Sequence, residues 1–128
     1  MHKLLIAILL TLVSTSAIAD WTLFNELAGD VNMYVDTTTI KNVGDQAKVW
    51  VLKDYKEPTK GGYKSTLEHM EFNCKDETFS LMQAILYDGQ MQKGKVITTY
   101  KYTIKEFPFE QIVPNSYMKS LFSIVCKP

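Results

Sequence analysis

KSTLEHMEFNC, residues 64–74, decides how the rest of this sequence is read. In an extended strand Met70, Phe72 and Cys74 fall on one face with Thr66 and Glu68, while His69, Glu71 and Asn73 fall on the other. The strand ends on a cysteine, and the 128-residue sequence holds one other, Cys126, 52 positions further on. In the chain-entropy picture, closing a loop of that length stabilises by about 4 kcal/mol. That is a large share of a small domain's margin. A bridge between the two would tie this strand to the C-terminal segment, with the sheet built around it.

The C-terminal segment is suited to that role. Over residues 115–126, Ser116 is placed to cap a helix on which Met118, Leu121, Phe122 and Val125 share one face and Lys119, Ser120 and Ser123 the other. Cys126 lies on the row of Met118, so it belongs to the apolar face and could reach Cys74. Upstream, residues 47–55 (AKVWVLKDY) are apolar on both faces, Val49 and Val51 against Trp50 and Leu52, as in a central strand covered on both sides. Residues 79–87 divide into Phe79, Leu81, Ile85 and Tyr87 against Met82, Ala84 and Leu86. Residues 21–27, 31–36 and 95–104 complete the strand set. Asp36 can cap a single helical turn at residues 37–39, turns fall at 42–46, 75–77 and 88–89, and residues 56–63, with Pro58, Gly61 and Gly62, form an exposed loop. Helix-length segments do not alternate with the strands, so the sheet is expected to be antiparallel. The fold class is α+β: about six antiparallel strands in a curled sheet, with a C-terminal helix packed on one face.

Residues 1–19 read as an export signal, with His2 and Lys3 ahead of an apolar run and a cleavage site after Ala19. The run is too short for a membrane span, and no lipobox cysteine follows it. Residues 20–128 would then form one domain, periplasmic or secreted, without a lipid anchor. Two cysteines in an exported chain argue for one disulfide. Without Lys3 the chain carries 13 lysines against 14 acids and no arginine. That near balance offers no global field for nucleic acid or anionic lipid. The lack of arginine also weakens the case for bidentate phosphate or carboxylate recognition.

Catalytic constellations are sparse. His69 lies near Glu68 and Glu71, which admits a small enzyme or metal-handling site, but one histidine and two separate carboxylates make a poor zinc set. The alternative is a solvent-facing cross-strand histidine. No serine has a nucleophile-elbow setting, and Gly61-Gly62 precedes a strand rather than a helix. The chain therefore reads as a non-enzyme without cofactor or metal. Lys53, Tyr55, Lys56, Lys60, Tyr63 and Lys64 are the candidate contact surface for a protein partner, tyrosine anchors with a lysine rim. A solvated connection is the competing reading.

The segments YVDTTTI (34–40), VWVLKDYKEP (49–58), YKSTLEHMEFNC (63–74), YDGQMQKGKVI (87–97) and IVPNSYMKSLFSIVC (112–126) together resemble the surface-adhesin protein E family of exported Gram-negative proteins. The resemblance implies an antiparallel sheet, a C-terminal helix pinned by Cys74–Cys126, and binding of host matrix or envelope proteins. It also implies a homodimer. That bears on a structural question: one helix covers one face of a sheet, so the second apolar face of residues 47–55 and 79–87 calls either for a sheet curled over itself or for a second copy.

Overall fold

A computed structural model describes residues 19–127; residues 1–18 of the 1–19 leader expected from the sequence lie outside the described residues. The strands are β1 (Thr22–Leu27), β2 (Val31–Val35), β3 (Lys41–Val43), β4 (Gln46–Tyr55), β5 (Ser65–Asn73), β6 (Thr78–Tyr87), β7 (Val96–Lys101) and β8 (Glu110–Gln111), followed by helix α1 (Tyr117–Val125). Every pairing is antiparallel. The six main strands expected from the sequence run in the order β1-β2-β4-β5-β6-β7, with β3 and β8 as short additions.

The two additions share edges with longer strands. β2 and β3 both pair with β4, and the residues between them make the single helical turn at Thr37–Thr39. The buried Asp36 carboxylate accepts from the Thr38 N–H at 3.0 Å, and the Thr39 hydroxyl accepts from the Trp50 N–H at 3.1 Å, where the ladder is interrupted. Residues 42–46 are therefore not a plain turn: Gly44, at φ +59°, turns a small hairpin whose first strand is β3. On the far side β7 and β8 divide the outer edge of β6. The connection between them returns through Ser80, whose hydroxyl donates to the Phe107 carbonyl at 2.6 Å.

The core lies between α1 and one sheet face. Val35, Ala47, Val49, Val51, Met70 and Phe72 pack under Met118, Leu121, Phe122 and Val125, the helical face the sequence periodicity selects. The Ser116 hydroxyl caps the helix by accepting from the Lys119 N–H at 3.2 Å. Cys74 and Cys126 are joined, with Cα atoms 5.5 Å apart.

Two expectations are corrected. Strict alternation fails in β6, because His69 pairs with Gln83 and Met70 with Leu81, leaving Met82 as an extra residue. This bulge puts Phe79 and Leu81 opposite the helix-facing Phe72 and Met70, whereas Ile85 and Tyr87 pair with Leu67 and Ser65 of the other face. The second apolar face is also not left bare. Leu52 is fully buried in the single chain. The connection after β6 folds back across this end: the Met91 N–H donates to Asp54 at 2.8 Å, the Gln92 N–H to the Ser65 hydroxyl at 3.0 Å, and Ser65 in turn to the Gly89 carbonyl at 2.6 Å. Neither sheet closure nor a second copy is needed to cover Leu52.

Candidate binding surface

The six loop-region residues separate into two groups. Tyr55 ends β4, and its ring meets Tyr63 edge-on at 5.5 Å. The loop between them is braced by Thr59, whose hydroxyl and N–H both donate to the Tyr63 carbonyl, and by the Lys56 N–H donating to Asp30. Lys56 and Lys60 are exposed, and Lys64 is half-buried. Burial, only partly countered by the Lys53 charge, raises the Tyr55 pKa, so the phenol stays neutral across the physiological range. An edge-on tyrosine pair beside two free ammonium groups offers rigid aromatic area with a polar rim, as protein contact surfaces commonly do.

Lys53 is elsewhere. Its register places it on the helix-facing side, where Nζ lies 3.2 Å from Glu68 Oε1 and 5.5 Å from the centroid of the Tyr117 ring. Burial alone would lower its pKa, but Glu68, with Tyr117 and Tyr55 behind it, outweighs that and raises it. The ion pair floors a cleft of about 170 Å³ walled by Met70, Leu81, Phe107, Pro108 and Met118. Sequence proximity grouped Lys53 with the loop lysines; it shares a strand face with Tyr55, but its ion pair with Glu68 beside Tyr117 sets it apart from the exposed Lys56 and Lys60.

The grouping of His69 with Glu68 and Glu71 also comes apart. Glu68, held by Lys53, is on the face opposite His69 and Glu71. Among the described residues no three His, Cys, Asp or Glu side chains are grouped to hold a metal ion. His69 instead stacks on Trp50, its cross-strand partner, with ring centroids 4.3 Å apart and planes 8° from parallel. It is half-buried rather than fully solvent-facing. Burial, then Lys48, then Lys41 lower its pKa. A basin of about 420 Å³ beside it is lined by Thr39, Lys41, Lys48, Trp50 and His69. Sequence reading missed this group because it is assembled by the register of three strands.

A six-stranded antiparallel sheet with a terminal helix stapled to a central strand defines a disulfide-bonded α+β protein that presents side chains from one long loop and two sheet faces. The chain belongs to the surface-adhesin protein E family, whose model matches residues 21–127. The fold is shared with protein E of Haemophilus influenzae. The selenomethionine form of that protein superposes with a TM-score of 0.60 at 16% identity, covering 88% of this chain and 89% of the other. The crystal structure of protein E from non-typeable Haemophilus influenzae gives 0.58 at 16% identity, covering 88% and 78%. Crystal form II gives 0.56 at 14% identity, covering 80% and 91%. Among curated proteins none matches by sequence. No helix among the described residues is long and apolar enough to cross a membrane.

Proposed function

We propose that this chain is an exported, non-enzymatic module that binds a host matrix or envelope protein through the loop between β4 and β5. Family membership across residues 21–127 carries the reading. The braced Tyr55–Tyr63 pair with Lys56 and Lys60 supplies its contact surface. Export with cleavage after Ala19 agrees with one local contact. The Asp20 backbone nitrogen lies 3.2 Å from the buried Asp36 carboxylate, so cleavage would set a new ammonium group against an acidic partner. A periplasmic or secreted product without a lipid anchor is part of the same proposal.

The test is binding of the oxidised mature chain to immobilised matrix proteins and to purified envelope proteins. Tyr63→Ser together with Lys60→Glu is expected to weaken the interaction at least tenfold, on the order of the 2 kcal/mol carried by a contact hot spot. Unchanged affinity would move the contact away from this loop. The homodimer belongs to the proposal as well, although Leu52 needs no second copy for its burial. Sedimentation at micromolar concentration is expected to show twice the mass of one mature chain, and a single monomeric species would remove the dimer.

A further inference from the structure

The sheet face that carries His69 holds an electrostatic arrangement that the fold does not require. Lys41 of β3 and Lys48 of β4 are direct cross-strand partners, and like charges in that position destabilise a sheet. Neither is relieved by an ion pair: those among the described residues are Lys53–Glu68 and Lys119–Glu77. Glu71 is opposite Lys48 on β5 but is buried and forms no ion pair with it. Next along β4 comes Trp50, stacked on His69. The register row then continues through Gln83 to the exposed Lys101.

The basin beside Trp50 and His69 is lined by no carboxylate. It adjoins a recess of about 260 Å³ lined by Lys41, Val43, Gln46 and Lys48. We propose that this open, cationic groove binds an acidic glycan, with Lys41 and Lys48 meeting its sulfate or carboxylate groups and the Trp50–His69 pair supporting a sugar ring. Three features favour that occupant. The lysine pair makes no ion pair of its own among the described residues, so an external anion would relieve its repulsion. Lysine meets anions as a compact point charge, which suits groups that swing on a flexible saccharide better than fixed bidentate docking. The side chains lining the groove are also polar apart from Trp50 and Val43, yet their rings and methylene stems leave it a largely apolar surface, the mixture that a sugar ring with charged substituents meets best. The groove lies at the end of β4 opposite the Tyr55–Tyr63 loop, so the two surfaces can fail separately.

The charged groups near His69 and Trp50 on this face are Lys41, Lys48, Lys101 and Glu71, with the buried Asp36 lining a recess on the other side of Trp50. Burial is the main cause of the lowered His69 pKa, and an anion seated on the lysines would offset their added share, so the pKa rises on binding and affinity grows as pH falls through the bound-state value. The experiment titrates the oxidised mature chain with a heparin hexasaccharide and follows the His69 ring resonances by NMR. Parallel titrations use inorganic sulfate, an uncharged hexasaccharide and a short DNA oligonucleotide.

Saturable, salt-sensitive binding of heparin hexasaccharide with an upward His69 shift is expected. Lys41→Gln and Lys48→Gln should each weaken it on the order of tenfold. Lys41→Gln should also leave the melting temperature unchanged or higher, because it relieves the like-charge pair, which separates lost binding from lost folding. Lys60→Glu should leave glycan affinity intact. No saturable binding, equal affinity for inorganic sulfate alone, equal affinity for DNA, or insensitivity to both lysine variants would each overturn the proposal.

Discussion

Replacing Cys74 and Cys126 by serine lowers stability by about 2–5 kcal/mol, the usual loss when a small exported domain gives up its disulfide. The estimate follows from the 52-residue separation, since cutting the bridge frees that loop in the unfolded chain. The loss should fall unevenly. α1 has nine residues, too few to be stable alone in water, and Phe122 and Val125 lie within one turn of Cys126. The ladders β4-β5 and β5-β6 each run through nine paired positions and do not depend on sulfur. Chemical denaturation of the oxidised and double-serine proteins measures the difference. Hydrogen exchange should show the first protection lost at Tyr117–Val125, with the centre of β5 still protected. Equal stability of the two proteins would mean that helix packing alone holds this end.

Glu68→Ala is expected to cost about 3 kcal/mol, at the lower end for breaking a buried pair. The Lys53 and Glu68 side chains keep 17% and 15% of their exposure, so some water reaches them. The variant leaves an ammonium group between Tyr117 and the sheet without its counter-charge. Replacing both residues, Lys53→Met with Glu68→Leu, should recover most of the loss, because two apolar side chains avoid both desolvation costs. The pH dependence has a definite sign. The folded-state pKa of Lys53 is raised, so the pair's contribution is fully present below about 10.5 and is lost as pH climbs through the higher folded value. Denaturant midpoints at pH 8 and at pH 11 check this, and a single and a double variant of equal stability would show that the pair is not coupled.

The helix was legible in the sequence, residues 115–126 enclosing the observed Tyr117–Val125, because its apolar face recurs at helical spacing and Ser116 is a strong cap. The strands were legible as strands, with Val49 and Val51 sharing one face of β4 and Met70 and Phe72 one face of β5; which face of β4 the helix covers was not legible, and the register settles it. Errors arose where alternation is broken by a bulge or where a connection folds back. Met82-Gln83 gives no sign of an extra residue, since Met82 is as apolar as its neighbours. Asp88-Gly89 reads as a short turn, yet the chain continues through Met91 and Gln92, both at positive φ, to reach Asp54 and Ser65. Non-glycine residues in that conformation carry no strong sequence mark. The candidate surfaces were harder still. Tyr55 and Tyr63 share a loop and could be grouped by eye, while Lys41, Lys48, Trp50 and His69 come together only after β3, β4 and β5 are set in register.

The strand order has a consequence in time. Each main strand pairs with one that precedes it closely in the sequence, so the sheet can grow strand by strand as the chain becomes available. Contacts between near neighbours are the quick ones to form. The helix contacts are the exception: Met118, Leu121 and Phe122 must find Val49 and Met70 across most of the domain. Cys126 follows all eight strands in the sequence, so the bridge to Cys74 can close only once every strand has been made. An oxidant that acts before then meets Cys74 with no partner inside its own chain.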